Sequence, residues 1–171
     1  MKKLFITLIV SIFALSSMYA GNNSRVNYLG EVYLGNSFGV GENPNNRAHL
    51  HTVHGIKIGN YFSTGLGTGL DLYYDGGDFM TLVPIFLNVK GYLPLNDKLA
   101  PYVSMDFGGS FGVGDSSPMS GLMFTPAVGL KIKSFNIQFA YAIQKFSIDL
   151  QDWGVLNFNC NAIQLKVGYL F

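Results

Sequence analysis

Apolar and polar residues alternate along most of this chain with a period of two. At its end, Ile163, Leu165, Val167, Tyr169 and Phe171 fall on one side, and Ala162, Gln164, Lys166, Gly168 and Leu170 on the other. Before that, Phe135, Ile137, Phe139, Tyr141 and Ile143 oppose Asn136, Gln138, Ala140, Ala142 and Gln144. Leu122, Phe124, Pro126, Val128, Leu130 and Ile132 oppose Met123, Thr125, Ala127, Gly129 and Lys131. The same holds for Val103, Met105 and Phe107 against Tyr102, Ser104 and Asp106, and for Leu66, Leu70, Leu72 and Tyr74 against Gly65, Gly67, Gly69 and Asp71. Val83, Ile85, Leu87 and Val89 oppose Asn88 and Lys90, and His51–Gly59 and Val26–Val40 repeat the pattern more weakly. Period two is the mark of strands with two unlike faces. It predicts eight strands, near 25–40, 48–60, 62–75, 80–93, 98–113, 121–133, 135–149 and 158–171.

The predicted connections alternate in length. Asn60-Tyr61, Pro94–Asp97 and Lys133-Ser134 read as tight turns, whereas Gly41–Arg47, Asp75–Phe79, Gly114–Ser120 and Leu150–Asn157 read as longer polar loops. Short turns in the periplasm and longer loops outside are the asymmetry of bacterial outer-membrane barrels. Pro84 and Pro126 interrupt two strands, and because proline lacks an N–H, local bulges are expected there.

Composition decides what surrounds the strands. Charged residues make up 12%, against about 25% in an ordinary soluble domain. After the first twenty residues no run is apolar for long enough to form a transmembrane helix. A closed barrel then remains as the spanning solution, because lipid cannot satisfy an open backbone edge. Lys2 and Lys3, the apolar run Leu4–Leu15 and the small residues up to Ala20 are laid out as a cleavable signal peptide. The expected organisation is a signal peptide at 1–20 and a barrel domain at 21–171. The fold class is an all-β, eight-stranded, antiparallel up-and-down transmembrane barrel.

The lysines orient the faces. Lys57, Lys90, Lys131 and Lys166 all lie on the polar side of their strands. A lysine on the lipid face near the midplane costs about 2–4 kcal/mol. Turning all of them outward would cost on the order of 8–16 kcal/mol, as much as the whole stability of a typical domain, about 5–15 kcal/mol. The polar side is therefore the lumen, where Glu31, Asp71 and Asp106 can partner the lysines. Eight strands leave an interior that side chains can fill, and inward glycines make room for long ones. The expectation is a plugged polar network of Glu31, Lys57, Asp71, Lys90, Asp106, Lys131 and Lys166. Lys145 departs from the pattern and is expected to snorkel at the outer interface. Tyr28, Tyr61, Phe62, Tyr74, Phe79, Tyr92, Trp153, Tyr169 and Phe171 near strand ends are expected to form interfacial girdles.

A family resemblance joins this reading. Val83-Pro84-Ile85-Phe86-Leu87-Asn88-Val89-Lys90-Gly91-Tyr92 resembles a strand of the outer-membrane β-barrel domain family, the small OmpA- and OmpX-like barrels. Leu99-Ala100-Pro101-Tyr102-Val103, running into Gly108–Gly114, resembles the Pro-Tyr strand that follows it there. Tyr169-Leu170-Phe171 resembles the C-terminal signal of such barrels, which implies recognition of Tyr169 and Phe171 by the barrel-assembly machinery. No peptidoglycan-binding segment follows Phe171 in the sequence, so the cell-wall tether of full-length OmpA proteins is not expected. The resemblance implies architecture and a cell outer-membrane location, and is nearly mute about activity.

Candidate chemistry is sparse. His49 and His51 share a strand face and His54 lies close by, but no acidic residue sits among them in sequence, so neither a metal site nor a catalytic residue is assigned. Gly65-Leu66-Gly67-Thr68-Gly69 lacks phosphate-loop spacing and a following helix. Asp71, Asp75 and Asp78 lack a calcium-loop pattern. Cys160 is a lone cysteine, which excludes an intrachain disulfide. The net charge of +1 suggests no nucleic-acid partner. No cofactor is expected. The expected partners are outer-membrane lipid and, during biogenesis, the assembly machinery, and the expected state is a monomer. The favoured function is structural or surface interaction without enzymatic activity. The alternatives are an outer-leaflet lipid-modifying enzyme built from His51 with Asp115, Ser116 and Ser117, and a soluble lipocalin-like carrier, which would need the faces reversed. An open porin is a variant of the first reading.

Overall fold

The computed structural model describes residues 26–41, 44–75, 78–113, 119–150 and 154–171. The expected signal peptide, Trp153 and the Asp115–Ser117 loop lie outside these residues. The strands are β1 (Val26–Val40), β2 (Asn46–Ile58), β3 (Phe62–Asp75), β4 (Asp78–Tyr92), β5 (Leu99–Val113), β6 (Met119–Ile132), β7 (Phe135–Leu150), β8 (Gly154–Asn159) and β9 (Asn161–Leu170). Each pairs antiparallel with its sequence neighbour, except that β8 and β9 both pair with β7. The register does not change between them: Lys145 faces Asn159, Ala142 faces Ala162, and the Cys160 N–H donates to the Gln144 carbonyl at 2.9 Å. Together β8 and β9 are one strand of an eight-stranded barrel, which β9 closes by pairing with β1 from Glu31↔Leu170 to Val40↔Asn161.

Among the described residues no strand is left at an open sheet edge, the arrangement that a spanning barrel requires. The outward side chains form an apolar belt, with Leu66 67%, Leu122 65%, Phe107 61% and Leu34 67% exposed. The inward positions hold buried polar groups, among them Glu31, Arg47, Asp71, Lys90, Asp106 and Lys166. A soluble carrier needs the opposite distribution.

Three expectations about the elements are corrected. Pro84 and Pro126 cause no bulge. Thr68↔Ile85 and Asp71↔Leu82 keep one register across Pro84, and Phe124↔Ile143 and Ala127↔Ala140 keep one register across Pro126. Each proline interrupts the ladder on one side and stays paired with β5 on the other, Pro84 with Ser110 and Pro126 with Met105. The missing N–H costs ladder contacts locally without inserting a residue. Second, β3 and β4 run on to the pair Asp75↔Asp78, so no longer loop separates them. Polar residues there look like loop in sequence, but the backbone ladder continues through them. Third, Tyr92 does not belong to a girdle. It is buried, pointing inward beside Ala100 and Tyr102.

The tight turns have local causes. Gly59 (φ 60°) and Lys133 (φ 54°) supply the left-handed residues of two of them. In the third, the Asn96 Oδ1 accepts from the N–H groups of Lys98 and Leu99, both at 2.9 Å.

Candidate functional site

Buried side chains, many of them polar, line the interior of the barrel in successive layers. Inward glycines create the room. A Cβ at Gly129 would lie 2.3 Å from the Tyr102 ring, and one at Gly35 would lie 2.7 Å from Cγ of Lys166. Tyr102 and Lys166 therefore each lie across a neighbouring strand.

Nearest the tight turns, Lys57 stands over the Tyr92 ring at 5.6 Å. Lys57 and Lys131 line a cavity of about 350 Å³ with Asn96 and Asp97. Deeper in, Lys90 Nζ donates to Glu31 Oε2 and to the Tyr33 hydroxyl. Tyr33 donates in turn to Glu31 Oε2 at 2.8 Å and accepts from Asn136 Nδ2 at 2.9 Å. Across the barrel, Asp106 Oδ1 accepts from Asn88 at 2.5 Å, and Lys166 stands 3.9 Å from Asp106 Oδ2. Toward the loop end, Arg47 Nη1 donates to Tyr73 and Gln144, Tyr73 donates to Gln144 Oε1 at 2.6 Å, and Gln144 Nε2 donates to Ser110 at 2.9 Å. Tyr73, Leu82, Phe146 and Cys160 pack as an apolar cluster at the same level.

Of the expected network, the structure brings Glu31 to Lys90 and Asp106 to Lys166. Lys57 and Lys131 meet no carboxylate at salt-bridge distance among the described residues, and Asp71 takes no lysine. It binds histidines instead. His49 Nδ1 lies 2.7 Å and His51 Nε2 lies 2.6 Å from the same oxygen, Asp71 Oδ1. His49 Nε2 also contacts Ser37 Oγ. All four residues are buried.

Local structure explains the cluster. The His-x-His spacing puts both imidazoles on the inward face of β2. The β2–β3 register sets Asp71 opposite His49 and Gly69 opposite His51. At Gly69 a Cβ would lie 2.8 Å from Cδ2 of His51, so the glycine opens the space that this ring fills. Sequence alone does not join the carboxylate to the histidines, because Asp71 is remote along the chain. The signal was there, since counting equal steps back from the turn at Asn60-Tyr61 brings His49 to within one position of Asp71. His51 is accordingly not a rim residue. It lies inside the lumen, its ring centroid 5.5 Å from that of Phe86. His54 points outward, its Nδ1 2.5 Å from the Tyr28 hydroxyl.

Ser37, His49 and Asp71 follow the order hydroxyl, imidazole, carboxylate of acyl-transfer enzymes. Ser37 is 0% exposed, however, and neither the cavity beside Lys57 nor that of about 460 Å³ beside Phe111 and Phe158 is lined by it.

Among solved structures, Neisserial surface protein A aligns with a TM-score of 0.54 over 86% of this chain and 98% of its own, at 12% identity. The N-terminal β-barrel domain of Pseudomonas aeruginosa OprF aligns with a TM-score of 0.51 over 86% of this chain and 98% of its own, at 14% identity. The fold is that of the small outer-membrane barrels. At these identities the likeness speaks for the fold alone. No protein-family description and no curated protein matches the sequence. The histidine–aspartate cluster is thus read from this barrel's own residues.

Proposed function

We propose that this chain is an integral outer-membrane barrel with a structural or surface-contact role, closed to large solutes by its luminal side chains and without enzymatic activity. The observation that carries the reading is the pairing of a fully closed ladder and an apolar exterior with charges turned inward. Its partners are outer-membrane lipid and, through Tyr169 and Phe171, the assembly machinery. Both aromatics are outward, each 49% exposed. Export follows from the basic and apolar segment before Ala20.

The test is electrophoresis of the outer-membrane fraction in SDS with and without boiling. The expected result is a band that shifts on boiling and lacks residues 1–20. A water-soluble protein without a shift overturns the reading. In planar bilayers the barrel should give no large, stable conductance, and a fluorophosphonate probe should leave it unlabelled. Labelling lost in Ser37→Ala would move the lipid-modifying alternative to first place.

A further inference from the structure

Two imidazoles converging on one carboxylate oxygen is an unusual way to fill a barrel. We propose that His49, His51 and Asp71 form a binding site for a divalent transition-metal ion of the zinc type. Each residue offers one ligand atom, and these lie within 4.8 Å of one another; His49 Nδ1 and His51 Nε2 are the nitrogens turned toward the Asp71 carboxylate. Imidazole and carboxylate are a donor set that suits zinc and its neighbours.

The geometry needs side-chain adjustment and no change of backbone register. Metal–donor bonds of about 2.0–2.1 Å at tetrahedral angles separate donors by roughly 3.3 Å. The nitrogens now stand 2.7 and 2.6 Å from Asp71 Oδ1 and the ligand atoms lie within 4.8 Å of one another, so on loading the carboxylate withdraws by less than an ångström and the two imidazoles draw together by up to about 1.5 Å. The three residues sit on two adjacent strands paired to each other without a break from Asn46↔Tyr74 to Ile58↔Phe62, which holds them in place before any ion arrives.

The proton balance also closes. Without metal, each neutral imidazole presents N–H to Asp71. With metal, each keeps its proton on the other ring nitrogen. His49 then carries it on Nε2, where Ser37 Oγ is already in contact and can accept it. Metal-ligating histidines usually have such an outer partner for the second nitrogen. His51 Nδ1 has no side-chain or backbone partner among the described residues. The charged groups that act on the two histidines, besides Asp71, are Lys166 and Asp106. Lys166 lies next to Asp106 and Arg47 is engaged by Tyr73 and Gln144, so neither cation occupies Asp71. The ion would have a fourth position for water. Because the cluster is buried, loading belongs to folding rather than to the finished barrel.

The test is to refold the full, tag-free chain in detergent with Co(II), and to read the visible absorption of the boiling-sensitive form after gel filtration. The expected result is one Co(II) per barrel with the intense bands of low coordination number, displaced when refolding is done with excess Zn(II). Asp71→Asn and His51→Gln should lose the bands, and Ser37→Ala should weaken binding by about 10–100-fold. His54→Ala, altered outside the cluster, should bind as the parent does. A folded parent without stoichiometric Co(II) overturns the proposal, as do bands that survive Asp71→Asn and His51→Gln together. If those variants fail to fold, Ser37→Ala and His54→Ala decide: equal loss in both, or in neither, overturns it. The site depends on the barrel alone, so its failure leaves the gel-shift result untouched.

Discussion

At the scale of single residues, the Glu31–Lys90 pair shows how this interior can be both charged and stable. Both groups are almost fully buried, and the Tyr33 hydroxyl bonds each of them. Desolvation opposes such a pair, and its attraction only roughly offsets that cost. Removing one partner leaves an uncompensated charge. Lys90→Met should therefore lower unfolding stability by about 3–5 kcal/mol, whereas Lys90→Met with Glu31→Leu should recover most of that loss. Urea titration of the refolded barrel by tryptophan-independent circular dichroism measures both. The charge type of these inward residues could be read from the sequence, because period two sorts them onto one face. Their partners could not, because pairing depends on which rows of the barrel lie level. Asp71 shows the difference, having looked like a lysine partner and met two histidines instead.

The strands themselves were the most legible level. Seven of the eight expected spans agree with the structure to within about two residues at each end, the usual scatter of such boundaries. The last span starts earlier, at Gly154. Polarity does not mark a loop at Asp75 and Asp78 or before Asn159, and proline does not mark a bulge at Pro84 or Pro126. At Pro126 the ladder is in register on both sides of the gap. Pro126→Val should therefore restore a ladder hydrogen bond toward β7 without shifting any neighbour. Hydrogen exchange followed by NMR should find the new amide at position 126 as protected as those beside it. Rapid exchange there would mean that the gap has a cause other than the missing N–H.

For the whole molecule, the apolar belt is the feature on which placement rests. Leu87 lies mid-strand in β4, outward and 45% exposed, between outward Leu66 and Phe107. Leu87→Arg should cost about 2–4 kcal/mol in lipid vesicles, and a water-exposed position should cost little. Reversible denaturation from vesicles separates the two. The closed ladder has another consequence. Seven of its junctions join strands that follow one another in sequence, and forming them requires only short loops. The eighth, where Glu31 meets Leu170 and the Gly30 and Phe171 backbones exchange hydrogen bonds at 2.9 Å, joins opposite ends of the barrel's chain. Its entropy of closure is the largest of the eight, and contacts so distant in sequence form slowly. This seam is the last to knit and the first to part, so the barrel opens, when it opens, like a sheet unrolled along one line.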